Sequence, residues 1–237
     1  MVTDDQLFIR LMDRATKAGT VPRVSSTRDR LLRAAEQLMA DRGVDNITFA
    51  EITQAAGQRN NSAVPYYFGD RLGLIRAVLE RHTTPIAERR SRLLDALGPT
   101  SNLRDAIVAL VEPIVEQVQT CPGGDDYVRI VAHLASHPDL DPAELGAGST
   151  PVTRRLNAAL VASCPALPPR LFALRMDLLL VLLFHGLADD ARTLADPAVK
   201  ARTKRLFIEN LIDTIEAVLV APPSPSTTKL TTPRRRP

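Results

Sequence analysis

A chain of 237 residues is long enough for one sizeable domain or two small ones, and a hydrophobic share of 45% is ample for a core. The formal net charge is +3, but Lys229, Arg234, Arg235 and Arg236 at the end of the chain supply more than that excess, so the remainder is slightly acidic. A global electrostatic field for nucleic acid is thereby excluded, and any DNA affinity must come from local basic groups.

Residues 1–25 read as an N-terminal extension. Leu7, Phe8, Leu11, Met12 and Ala15 keep helical spacing, Thr3 with Gln6 can box the start, and Gly19 and Pro22 end the segment. A helix packed on its own domain, a frayed arm and a DNA-contacting arm all fit it. The next helix runs from about Thr27 to Arg42 and stops at Gly43, with Leu31, Ala35, Leu38 and Met39 as its buried stripe. Arg28 and Arg30 near its start suit a solvated face or a phosphate contact.

The stretch Thr48 to Phe68 organises the rest. Thr48 is a good N-cap and Glu51 stands three residues on, as a capping box requires. Phe49, Ile52 and Ala56 keep helical spacing, and Gly57 provides the left-handed cap. A polar turn over Gln58 to Asn61 leads to a second short helix containing Pro65. Proline is harmless only in a first turn, whose amides have no helical partner, so the N-cap is Asn61 or Ser62. Two short helices across a glycine turn read as a helix-turn-helix, whose second helix can enter a DNA major groove.

A longer helix begins near Asp70, with Leu74, Ile75, Val78 and Leu79 on its inner face. Pro85 should kink or interrupt it before the pattern resumes at Ile86, Leu93, Leu94 and Leu97, and Gly98-Pro99 closes it. Leu103, Ile107, Leu110, Ile114 and Val118 stripe the following helix, where Pro113 predicts another kink. After the turn Cys121-Pro122-Gly123-Gly124 come a helix over Asp125 to His137, an irregular connection over 138–149, and a helix over about Pro151 to Ser163. A hydrophobic helix then runs to Asp190, and the last, about Pro197 to Val220, aligns Ile208, Leu211, Ile212, Ile215, Val218 and Leu219. From Pro222 the composition predicts a disordered basic tail, solvated or weakly attracted to DNA. No strand-like alternation occurs. The fold class is all-α: an extension at 1–25, a three-helix DNA-binding domain with helix-turn-helix at 26–70, an all-helical domain at 71–221, and a tail at 222–237.

Over about Thr27 to Arg81 the chain resembles the TetR family of transcriptional regulators. The resemblance rests on the first helix (TRDRLLRAAEQLMADRG), the Thr-initiated second helix ending in Ala-Gly, the terminal Tyr-Phe, and Phe68-Gly69-Asp70-Arg71 at the family's aromatic, Pro, Ser and Lys. The turn is one residue longer than the commonest family form, and Gln58, Arg59 and Asn60 replace its usual apolar-serine-lysine. The resemblance implies a homodimer built on the last two long helices, a double-stranded, near-palindromic DNA operator, and a small-molecule effector whose binding releases it. The family's common mode is repression relieved by the ligand; no cofactor is expected, and the residues at the N-terminus and the short apolar runs lead to the expectation of a cytoplasmic protein with no membrane partner. The apolar walls of the C-terminal domain, and a turn like that of relatives linked to acyl-lipid metabolism, suggest a hydrophobic or acyl-lipid-like effector.

The DNA-binding candidates follow. Asn60, Asn61 and Ser62 at the start of the reading helix can hydrogen-bond base edges or phosphates, and Arg59 can reach a base from the turn. By the family motif Tyr67 resembles a phosphate-binding tyrosine and Arg71 the basic residue with the same role, while Thr48 can offer its hydroxyl or amide. Tyr66 suits a DNA contact or the domain interior. Capping and turn formation are the structural alternatives for each polar residue, and for Ser62 capping and contact stand level. His133, Asp177 and His185 are the ligand-binding candidates, Asp177 and His185 because they lie in a helix that reads as buried. The histidines are too dispersed for a metal site, and Cys121 and Cys164 give neither metal spacing nor a disulfide framework. No catalytic constellation is present, so the expectation is not an enzyme; an enzyme or interaction protein that has kept the fold is the alternative. Asp4 and Asp5 before any apolar run argue against a signal peptide, and the apolar run Leu178 to Phe184 is too short to span a bilayer.

Overall fold

The computed structural model describes residues 26–60, 62–98, 101–137, 139–140, 145 and 150–231. Among them are α1 (Thr27–Arg42), α2 (Phe49–Ala55), α3 (Ala63–Phe68), α4 (Arg71–Asp95), α5 (Leu103–Thr120), α6 (Gly124–Ala135), α7 (Pro151–Ala162), α8 (Pro169–Ala195), α9 (Ala201–Val220) and α10 (Pro225–Thr231), with no strand. The all-α expectation holds. The extension at 1–25 lies outside the described residues.

Local chemistry sets most boundaries. Ser26 and Asp29 close a capping box at α1, the Ser26 hydroxyl accepting from Asp29 N–H at 3.1 Å and the Asp29 carboxylate from Ser26 N–H at 3.3 Å. Asp70 caps α4 by accepting from Gly73 N–H at 2.7 Å. Asn102 and Asp105 repeat the capping box at α5. α1, α2 and α3 enclose Leu31, Ala35, Met39, Ile52 and Val64, with Leu74 and Ile75 of α4 closing the base. α4 therefore belongs to both parts of the molecule, since it also packs on α5, α6 and α7.

α4 runs through Pro85 as one helix, so of the kink or interruption that the proline predicts, the interruption does not occur. The buried residues Leu79, His82 and Ile86 bracket the proline, and their packing holds the helix across the missing hydrogen bond. Pro113 has a different compensation. A proline at 113 leaves the Ala109 carbonyl without its helical donor, and Arg90 supplies one: Nε donates to Ala109 O at 3.1 Å and an Nη to Leu110 O at 3.2 Å. Burial lowers the pKa of this guanidinium, and Tyr127 acts in the opposite sense.

α5 is the central helix of the larger part, packed against α4, α6, α7, α8 and α9. α8 is buried along Leu179, Leu183, Leu187, Ala191 and Leu194, while Leu174, Leu178 and Val181 are exposed at 52%, 68% and 37%. At 27 residues, α8 is long and apolar enough to cross a bilayer by length and composition. The expectation drawn from the short run Leu178 to Phe184 is corrected on that point. The run sits inside a longer apolar helix, one side of which is committed to the core.

The tail also differs from expectation. Residues Pro225–Thr231 are helical rather than disordered. Pro225 has the fixed φ that suits a first helical position, and the Ser224 hydroxyl accepts from Thr227 N–H at 3.2 Å. Arg175 anchors the preceding strand of chain, donating to Leu219 O at 2.9 Å and Ala221 O at 2.6 Å. Residues 232–237, with Arg234, Arg235 and Arg236, lie outside the described residues.

Candidate nucleic-acid interface

The reading head begins with the cap of α2. Thr48 Oγ1 accepts from Glu51 N–H at 3.2 Å, and the Glu51 carboxylate accepts from Thr48 N–H at 2.8 Å. Hydrogen bonding by the Thr48 side chain lowers the Glu51 pKa below its ordinary value. Arg42 adds an ion pair with Glu51 at 2.9 Å. Thr48 is thus exposed but already engaged in its own cap. At the other end Gly57 takes φ +66°, so the chain reverses without Cβ strain.

The turn into α3 is organised by Asn60. Its Oδ1 accepts from Ser62 N–H at 2.9 Å, and its carbonyl accepts from Ala63 N–H at 3.1 Å. Ser62 occupies the N-cap position, yet its hydroxyl makes no capping hydrogen bond. Of the alternatives for Ser62, capping is therefore not the one realised. Asn61 lies outside the described residues.

α3 has two unlike sides. Ala63, Val64 and Phe68 are buried, while Ser62, Tyr66 and Tyr67 face outward, continuous with exposed Arg59 and Asn60. Tyr66 is 81% exposed and Tyr67 40%, so Tyr66 is not in the domain interior. Their rings meet edge to face at 5.0 Å. Arg28 lies over the Phe68 ring at 5.2 Å, bringing the start of α1 beside the end of α3. Gly73 lets α4 start close beneath α3, because a Cβ there would stand 2.1 Å from Phe68 O.

Arg71 does not join this outward face. One Nη donates to Ile47 O at 2.8 Å and the other to Val44 O. The resemblance implies a phosphate contact at this position; here the guanidinium braces the loop between α1 and α2. The geometry therefore brings Arg59, Asn60, Ser62, Tyr66 and Tyr67 together, with Thr48 at the edge and Arg71 behind. Such a surface offers guanidinium, amide, hydroxyl and phenol groups to base edges and phosphates.

The ligand candidates are not brought together. His133 is exposed on α6, and Asp177 and His185 are exposed on α8. His185 Nε2 lies 3.0 Å from Ser136 Oγ. The reading of Asp177 as a residue of a buried helix is corrected, since it lies on the side of α8 turned away from the core. It lines an open groove of about 570 Å³ with Leu171, Leu174, Leu178, Pro222 and Thr227. Among the described residues no group of three or more His, Cys, Asp or Glu could hold a metal ion.

One polar cluster escaped the sequence reading. Glu36 of α1, His82 of α4 and Gln117 of α5 are 2%, 1% and 5% exposed. His82 Nε2 meets Glu36 Oε1, Gln117 Nε2 lies 2.7 Å from His82 Nδ1, and Arg81 donates to Glu36 Oε2 at 2.5 Å. The available signal was periodicity. Glu36 stands four residues after Leu32 and three before Met39, and His82 four after Val78 and four before Ile86, so each sits on a buried stripe.

Residues 108–218 match the model of the tetracyclin repressor-like C-terminal domain. The chain is 33% identical over 101 residues to the HTH-type transcriptional repressor BepR of Brucella suis biovar 1 (strain 1330), a match covering 42% of this chain and 46% of that repressor's length. Among solved structures it is similar to the fatty acid degradation regulator FadR from Bacillus halodurans, with 12% identity, 83% of this chain and 100% of that chain covered and a TM-score of 0.47. It is also similar to the TetR-like transcriptional regulator LfrR from Mycobacterium smegmatis, with 19% identity, coverage of 82% and 97%, and a TM-score of 0.45.

Proposed function

We propose that the chain is a transcriptional regulator of the TetR family, a homodimeric, cytoplasmic repressor that binds a near-palindromic DNA operator and releases it when a small molecule binds the C-terminal domain. The observation that carries this reading is the two-sided α3. Its apolar side is spent on Ala63, Val64 and Phe68, and Ser62, Tyr66 and Tyr67 are left outward beside Arg59 and Asn60. Repression is favoured by the name of the relative BepR, a transcriptional repressor.

Dimerisation is supported by Leu174, Leu178 and Val181 on the outer side of α8, with Leu206 of α9 at 71% exposure. Apolar residues in a row on a water-facing helix mark an interaction surface. A partner helix covering them also accounts for the high hydropathy of α8 without a bilayer. Two copies would present two reading helices to two half-sites. The effector in this reading is a hydrophobic or amphipathic molecule, in keeping with the apolar core of the C-terminal domain. Its binding shifts the population toward a state in which the two reading helices are wrongly spaced for DNA. In this reading the chain has no catalytic role.

A gel-shift titration against the DNA upstream of its own gene tests the proposal, at fixed near-physiological salt with excess competitor DNA. A shift that survives competitor and is lost in Tyr67→Ala supports it. A shift only at low salt and unchanged by Tyr67→Ala contradicts it.

A further inference from the structure

We infer that Glu36, His82 and Gln117 form the mechanical link through which the C-terminal domain sets the position of the reading head, an inference that rests on the regulator reading. Each residue comes from a different part of the molecule: α1 of the reading head, α4 shared by both parts, and α5 at the centre of the C-terminal domain. The Gln117 amide at Nδ1 leaves His82 Nε2 to carry the proton toward the Glu36 carboxylate, so the chain of donors has one direction. Arg81 balances the carboxylate charge and also donates to Pro122 O at 3.3 Å, joining the cluster to the α5–α6 turn. Tyr127 of α6 stacks on His82 at 5.0 Å, with the ring planes 25° apart.

The turn is fitted to the carboxylate. Gly123 takes φ +82°, and a Cβ there would lie 2.7 Å from Glu36 Oε2. Any movement of α5 or of this turn therefore meets Glu36 directly. Apolar contacts can slide by fractions of an ångström, but a buried carboxylate cannot lose its donors without large cost. The cluster is thus held in one arrangement or broken, which is what a switch element requires. Two outer ties lie along the same side, Arg129 of α6 to Asp41 of α1 at 3.0 Å, and His137 just past α6 to Asp45 in the loop after α1 at 2.6 Å. Within the reading head, movement of α1 is passed toward α2 and α3 through the loop at Val44 and Ile47, which Arg71 holds to α4.

The test uses the full chain and the near-isosteric Gln117→Met, which removes the amide while keeping volume in the core. Hydrogen exchange by mass spectrometry on the free protein should show at least tenfold faster exchange in peptides covering residues 44–60, although Gln117 hydrogen-bonds to His82 rather than to the reading head. In the gel shift, affinity for the upstream DNA should fall at least fivefold with competitor-type DNA binding unchanged. Glu36→Gln should give the same changes, and the double variant no more than either alone, because both act through His82. Exchange changes confined to residues 113–128, or single-variant effects that add, would overturn the inference. The exchange arm decides the link without DNA; loss of all wild-type operator binding in the gel would instead count against the regulator reading. If Glu36→Gln fails to fold, Gln117→Met and Gln117→Asn carry both arms.

Discussion

The guanidinium of Arg71 donates to the carbonyl of Ile47 at 2.8 Å, while its other nitrogen meets Val44 O. These carbonyls belong to the loop that aims α2, so the residue expected at DNA acts on the shape of the reading head. Arg71→Met leaves two partly buried carbonyls unpaired and should cost about 2 kcal/mol of folding stability. Urea denaturation measures the cost. A true phosphate ligand would instead weaken DNA binding with stability unchanged.

Arg90 and Pro113 make a compensated pair across α4 and α5. Arg90→Met should destabilise by about 1–3 kcal/mol, because the Ala109 and Leu110 carbonyls lose their donor. In a Pro113→Ala background the restored backbone N–H supplies Ala109, so the same substitution should cost less. A double-mutant cycle in urea reads the difference, and strict additivity would refute the pairing.

The capping box of α2 makes the reading head sensitive to acid. The Glu51 pKa is depressed in the folded chain, chiefly by hydrogen bonding to Thr48. A depressed carboxylate contributes stability that is present above its unfolded value of 4.5 and is lost as pH falls through the lower folded value. Glu51→Gln should therefore flatten the decline of Tm below pH 5. Parallel pH profiles by circular dichroism test this, and an identical slope in both proteins would contradict it.

Leu178, 68% exposed at the centre of the outer face of α8, should be a dimer anchor. Leu178→Asp should raise the dimer dissociation constant at least about tenfold, a penalty of about 1.4 kcal/mol. Sedimentation equilibrium checks this, with helix content expected to remain unchanged. A variant that stays as dimeric as the wild type would move the interface elsewhere.

Much of this fold was legible because its punctuation is local. Thr48 with Glu51, Gly43, Gly57 and Asp70 each fix a helix end through their own neighbours, and the structure keeps them there. What escaped depends on distant partners. Glu36 and His82 stand 46 residues apart in sequence, and only the folded chain shows that they meet. Pro85 carries a local breaking signal, but burial of Leu79, His82 and Ile86 overrides it. Asp177 looked interior because α8 is apolar all round; half of that apolar surface is turned outward, and Asp177 is turned with it. In the candidate site, Arg59 could be placed outward from its position in the polar turn and Tyr67 from the motif, whereas the inward turn of Arg71 required the Val44 and Ile47 carbonyls to be seen.

The most direct test of the central claim is selection of bound duplexes from a random DNA pool by the full chain at near-physiological salt. The account predicts enrichment of one inverted repeat, with half-sites separated by about one turn of DNA or a multiple of it, and loss of enrichment in Tyr67→Ala. A recovered pool no different from the input, or one enriched equally by Tyr67→Ala, would contradict sequence-specific recognition by α3.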